Sequence, residues 1–151
     1  ELVVLDEPTS SLDQSIRNKI INLLIQLQKN NNISYVFISH DLNSVKKVSD
    51  WIAVMYLGRI VEFGTSDNII NNPMHPYTKA LLSASPSIQI KPAHKKNIIL
   101  KGETPNLTNI PPGCSFQNRC NYVNNDCLKH DIEFEILDNN QIIECINYKQ
   151  I

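Results

Sequence analysis

No run of apolar residues in this sequence approaches the roughly 20 that a helix needs to cross a bilayer, so no membrane-spanning helix is expected. Neither sign of charge is in excess: 14 Lys and Arg stand against 15 Asp and Glu, a formal net charge of -1. Composition therefore gives no ground for non-specific nucleic-acid binding. Internal repeats and low-complexity tracts are absent. So is the pattern of a secretory signal peptide, and the sequons Asn32-Ile33-Ser34 and Asn106-Leu107-Thr108 carry no expectation of glycosylation. The chain does not begin with Met. Glu1-Leu2-Val3-Val4-Leu5 reads as a strand already in progress, which predicts a truncated N-terminus. The 151 residues, 42% of them hydrophobic, suit one ordinary soluble domain, or part of one with a small appended module.

What is present alternates between strand and helix. Leu2 to Leu5 is a short apolar run that fits a strand buried on both faces, ended by Asp6-Glu7-Pro8. Ser10 with Asp13, or Ser11 with Gln14, has the spacing of a capping box. Ile16, Ile20, Leu23, Leu24 and Leu27 then form one apolar helical face, stopped by Asn30-Asn31-Asn32. Ser34 to Ile38 is a second buried strand, followed by a short helix through Val45 and Val48. Trp51 to Tyr56 and Arg59 to Phe63 read as a hairpin about Leu57-Gly58. Thr65 can cap a short helix, and Pro76 suits the first turn of the next. Residues 86–97 are polar, with Pro92 and Lys95-Lys96, and look like a linker. Beyond them come Ile98-Ile99-Leu100, a proline-rich loop, cysteines, and a last strand pair near 132–146. The order predicts a parallel α/β core over 1–85 and a small cysteine-containing module over 86–151.

The most specific string is Leu2-Val3-Val4-Leu5-Asp6-Glu7-Pro8-Thr9-Ser10-Ser11-Leu12-Asp13. An apolar strand delivers two adjacent carboxylates at its carboxyl end, where open α/β sheets place ligands. Hydrolysing a nucleoside triphosphate needs a carboxylate to hold magnesium and a group to orient the attacking water. A lone Asp-Glu pair is more often a solvated loop; the full string is far more specific. It resembles the Walker B motif and D-loop of an ABC ATPase, whose common form has Ala where this chain has Ser11. Val36-Phe37-Ile38-Ser39-His40-Asp41-Leu42 follows after one helix, as the switch-histidine strand does in that family. The resemblance implies that Asp6 helps to hold magnesium, that Glu7 is the general base, that His40 contacts the γ-phosphate of ATP, and that Asp13 lies at the interface with a second ATPase subunit.

No G-x-x-x-x-G-K-[ST] phosphate loop, signature motif or Q-loop is found. In the family these precede the point where this chain starts. The expectation is therefore the C-terminal portion of an ABC-type P-loop ATPase core, inactive as it stands. Asn72-Pro73-Met74-His75-Pro76-Tyr77-Thr78-Lys79-Ala80-Leu81-Leu82 is similar to the HPYT-ALL segment of oligopeptide and dipeptide importer ATPases. Physically it reads as a capped amphipathic helix, without a catalytic part for His75. Gly102-Glu103-Thr104-Pro105 and Pro111-Pro112-Gly113-Cys114-Ser115-Phe116-Gln117-Asn118-Arg119-Cys120 resemble the tail of the same subfamily, which often has His-Pro in place of Gln117-Asn118. Membership implies peptide import coupled to ATP hydrolysis. It also implies permease subunits in the membrane, an extracytoplasmic peptide-binding protein acting through them, and a peripheral place on the cytoplasmic face. Nickel and glutathione importers use similar ATPases. DNA-repair and chromosome ATPases share the first motifs but lack the HPYT segment and the cysteine tail. A non-enzymatic metal-binding docking module is a further reading of the isolated chain.

The cysteines are spaced Cys114-x5-Cys120-x6-Cys127-x17-Cys145. Disulfides rarely persist in the cytosol. Zinc is open, although C-x2-C knuckles are missing; Cys127-x2-His130 would allow a mixed site. A four-thiolate iron–sulfur cluster tolerates looser spacing. The subfamily resemblance implies a [4Fe–4S] cluster, with zinc second. Four unliganded thiols are disfavoured because the module has too few apolar residues to fold easily without a staple, and either metal group reads as structural.

Overall fold

The computed structural model describes residues 1–85, 98–129 and 132–151. The expected linker at 86–97, and His130, lie outside the described residues. The chain divides into two compact units, Glu1–Asp50 and Trp51–Ile151. Among the described residues no helix is long and apolar enough to cross a membrane.

In the first unit, β1 (Leu2–Asp6) and β2 (Ser34–Ile38) pair in parallel, with Asp6 opposite Ile38. α1 (Gln14–Asn31) connects them, and α2 (Leu42–Val48) follows β2. The mixed α/β class and the parallel pairing agree with the sequence pattern. The burial does not. Leu2 is 65% exposed and Val4 61%, so β1 is not covered on both faces. A parallel strand is buried on both sides only when neighbouring strands and helices cover it, and this unit has two strands. For the same reason Ile16, Leu23 and Leu27 on α1 stay exposed, and Ile21 is the helix residue that is buried.

The start of α1 also differs from the expected capping box. Ser10 N–H donates to the Glu7 carbonyl and Leu12 N–H to the Thr9 carbonyl, which makes two turns before the helix. Asp13 is then the N-cap, and its carboxylate accepts from the backbone N–H of Ser15 and Ile16. At the other end Asn32 takes the left-handed conformation (φ 53°, ψ 47°) and donates to the Gln28 carbonyl, so the Asn run does stop the helix.

The second unit is built on a four-stranded antiparallel sheet. β3 (Trp51–Tyr56) and β4 (Arg59–Thr65) form the expected hairpin, and Leu57 and Gly58 both have positive φ, at 48° and 78°. Two positive φ values give the tight turn whose twist matches its strands. The register slips between Val54 and Met55, so Val61 is an extra residue on β4. Such a bulge lets consecutive residues share a side; here Val61 and Glu62 are both buried. α3 (Ser66–Asn71) is capped by Thr65, and α4 (Pro76–Ser83) has His75 as its N-cap and Pro76 in its first turn.

The end of the chain returns to this hairpin. β5 (Glu135–Ile136) and β6 (Ile142–Ile143) complete the sheet in the order β3-β4-β6-β5. Two residues per strand make a weak ladder, and polar side chains reinforce it. Glu62, fully buried, accepts hydrogen bonds from the backbone N–H of Met74 at 2.7 Å and of His75 at 3.2 Å, and from Gln141 Nε2 at 2.5 Å. Burial raises its carboxyl above the usual range, against those hydrogen bonds. Glu144 is paired with Arg59 at 2.6 Å, and its N–H donates to the Val61 carbonyl. Phe116 packs edge-on to Tyr56 and tilted against Tyr77 and His75.

Candidate functional site

Two places gather chemistry-bearing side chains, one in each unit. In the first, β1 and β2 run side by side and end together. Glu7 follows β1 and His40 follows β2 by two residues, so parallel pairing brings them to the same sheet end. Glu7 N–H donates to the Ile38 carbonyl at 3.0 Å, which fixes its backbone in a left-handed conformation of φ 46°. Non-glycine residues pay for that geometry. The carboxylate Oε1 accepts the His40 backbone N–H at 3.1 Å and lies 2.8 Å from His40 Nδ1. Because a carboxylate only accepts, this contact places a proton on Nδ1 and leaves Nε2 directed elsewhere. Glu7 Oε2 makes no hydrogen bond within the described residues.

Of the other residues expected here, Asp6 is exposed at the end of β1, and Asp13 is engaged as the α1 cap. Asp41, next to His40, caps α2. It accepts from Asn43 N–H and Ser44 Oγ, and pairs with Arg17 at 3.4 Å. Burial works to raise its carboxyl, but the hydrogen bonds and the Arg17 charge prevail and hold it below its ordinary value of 3.8. Arg17 also donates to the Leu12 carbonyl at 3.0 Å, tying the turn before α1 to the start of α2. Sequence reasoning did not single out Arg17. A cation one turn into a helix is usually a solvated residue, and nothing local marks this one as paired.

In the second unit, Cys114, Cys120, Cys127 and Cys145 all line one small open-sided pocket, with Phe116 and Ile132 among its apolar walls. None forms a disulfide, and Cys127 is buried. The Cys114 N–H donates to the Cys127 carbonyl at 2.9 Å, joining the two stretches of chain. Burial pushes the Cys114 thiol up to about 12 and the Cys145 thiol up to about 11, and it raises Cys120 as well. Neighbouring thiols add to each of these shifts, since a second negative charge is unwelcome in the same space. Such thiols need a cation to become thiolates. Four sulfurs on one zinc at ~2.3 Å would lie roughly 3.8 Å apart, and among the described residues no group of three or more His, Cys, Asp or Glu is placed to hold a metal ion.

His75 sits at the same pocket. Its Nδ1 accepts the Tyr77 N–H at 3.1 Å, and burial lowers its pKa to about 3, so it is a neutral cap. That matches the structural reading of the HPYT segment.

Comparison with known proteins adds a consistent set of relatives. The family described as "Oligopeptide/dipeptide transporter, C-terminal region" matches residues 61–127. The di/tripeptide transport ATP-binding protein of Pseudomonas aeruginosa is 46% identical over 94% of this chain and 44% of its own length. The dipeptide transport ATP-binding protein of Escherichia coli is 52% identical over 80% of this chain and 36% of its own. The oligopeptide transport ATP-binding protein of Bacillus subtilis is 42% identical over 98% of this chain and 45% of its own. The chain thus spans less than half the length of these relatives.

Proposed function

Since the chain belongs to the oligopeptide/dipeptide transport ATP-binding family, we propose that the complete protein is the ATP-hydrolysing subunit of a peptide-importing ABC transporter. The observation that carries this reading is the Glu7–His40 contact at the joined ends of β1 and β2. His40 holds Oε1, and Oε2 is left without a partner. That oxygen is buried here, and once the site admits the attacking water it takes the proton as the oxygen–phosphorus bond forms and the bond to ADP breaks. Asp6, exposed beside Glu7, is the residue to hold magnesium, which neutralises charge on the phosphate oxygens when bound. With Nδ1 directed at Glu7, His40 Nε2 reaches for the γ-phosphate, as a donor in the imidazolium form or after release from Glu7. Asp13 orders the start of α1 next to the surface that meets the second ATPase subunit.

The partners in this reading are that second subunit, permease subunits in the membrane, and a peptide-binding protein outside it. The protein works peripherally at the cytoplasmic face. The four cysteines, Cys114, Cys120, Cys127 and Cys145, lie in the unit that runs from Trp51 to Ile151 and hold a [4Fe–4S] cluster. Two features support that: four sulfurs around one pocket, and its apolar walls. A bound cluster supplies the positive charge that buried thiolates need. Zinc is the competing occupant, with the sulfurs drawn inward.

The test is ATP hydrolysis by the complete protein assembled with its permease subunits. Stimulation by di- or oligopeptides delivered on the binding protein is the expected result. Stimulation by nickel or glutathione alone would overturn the peptide assignment.

A further inference from the structure

Three of the four cysteine sulfurs are influenced by the backbone amide two residues further on. Cys120 accepts from Tyr122 N–H at 3.4 Å, and the amides of Phe116 and Asn147 act to lower the Cys114 and Cys145 thiols against the effect of burial. The corresponding amide for Cys127 belongs to Lys129, and it is spent on the Asp126 carbonyl in the short 3-10 turn Asp126–Leu128. Cys127 instead receives the side-chain Nδ2 of Asn147 at 3.4 Å.

The orientation of that amide is fixed by its neighbours. Asn147 Nδ2 lies 2.7 Å from the Tyr122 carbonyl, which can only accept, so the nitrogen must face it. Its second N–H is then free for the Cys127 sulfur. Asn147 Oδ1, on the far side, accepts from Asn124 Nδ2 at 3.0 Å. Asn124 is oriented in turn, because its Oδ1 accepts the backbone N–H of Asp126 and of Cys127. Asn147 is 6% exposed, so water does not compete for these bonds.

We propose that Asn147 is a positioning residue of the four-cysteine site: its amide supplies the N–H···S bond that the backbone cannot give Cys127, and so sets the charge balance of whatever group the four sulfurs hold. The inference rests on the metal-site reading above. Donors to a ligating sulfur stabilise the more negative, reduced state of a cluster and hold a thiolate in place.

The experiment uses the complete polypeptide, purified anaerobically, with Asn147→Leu, Asn147→Asp and Leu128→Ala. The Leu variant keeps the size and removes the donor. The Asp variant keeps the Asn124 bond and replaces the donor by an acceptor, which guards against misfolding of the first. Leu128→Ala changes an exposed residue of the same 3-10 turn and leaves Asn124 and Asn147 in place. If wild-type protein holds iron and sulfide, the expected result is a more negative reduction potential in either Asn147 variant that keeps its iron, and an unchanged potential in Leu128→Ala. Equal potentials in all four proteins overturn the assignment. If wild-type protein holds zinc, the cluster reading fails alone, and the readout becomes the rate at which a chelator strips the metal. Faster loss from the Asn147 variants than from Leu128→Ala supports the assignment, and equal rates overturn it. Protein that is folded and holds neither metal overturns both.

Discussion

Glu7 and His40 meet through two contacts to one oxygen: Oε1 accepts the His40 backbone N–H at 3.1 Å and stands 2.8 Å from the ring Nδ1. The His40 side chain is 77% exposed, so the pair contributes little to stability and its geometry is available to a ligand. His40→Ala in the complete protein is therefore expected to leave the melting temperature nearly unchanged. It should lower ATP turnover by about 100-fold or more, the usual scale for a donor positioned on the reacting group. Parallel turnover and melting measurements check this.

Glu62 is a stability residue. Glu62→Leu leaves two backbone N–H groups and the Gln141 amide without their acceptor. At about 1–3 kcal/mol per orphaned buried donor, a loss of about 3 kcal/mol or more is expected. The loss should appear in denaturant unfolding of the complete protein, with β6 and the start of α4 losing hydrogen-exchange protection first.

His75 gives the fold a pH dependence with a definite sign. Burial lowers its folded pKa to about 3, well below the ordinary 6.5 of a histidine. The unfolded state thus binds the proton more readily. Stability from the neutral cap is complete above about pH 6.5 and is lost as pH falls from there towards about 3. From about pH 7 to about pH 5 the loss should be about 2 kcal/mol. His75→Asn keeps a cap acceptor and does not titrate. It should be less stable at neutral pH and show a shallower decline, measured by denaturant unfolding at the two pH values.

Cys127 is the buried member of the four thiols, and its carbonyl also binds Cys114 N–H. Cys127→Ser is expected to abolish iron and sulfide in anaerobically purified protein, together with the visible absorption of a cluster. Elemental analysis and absorption spectra of wild type and variant settle the point. Zinc in the wild type would assign the site to a single ion.

What the sequence made legible was local. Asn32, Thr65, Gly58 and Pro76 each act through their own backbone preferences within a few residues, and each does what its type predicts; Leu57 is held by the hairpin at a positive φ that its type disfavours. The Asp6-Glu7 and His40 positions were legible because strand ends place them. Long-range features were not. β6 has two residues, too few for a periodic signal, and it pairs with β4 at Glu62↔Ile143. The exposure of Leu2 and Val4 reflects what covers the strand, which an apolar run does not encode. The four cysteines announced themselves by count, but the Asn147 donor to Cys127 sits far along the chain in a polar stretch with no pattern.

The most direct test of the nucleotide site is Glu7→Gln in the complete protein assembled with its partner subunits. The amide keeps the size of the side chain but cannot accept a proton from water. ATP binding should be retained while steady-state hydrolysis falls to background. Turnover at the wild-type rate would contradict the account and remove Glu7 from the role of base.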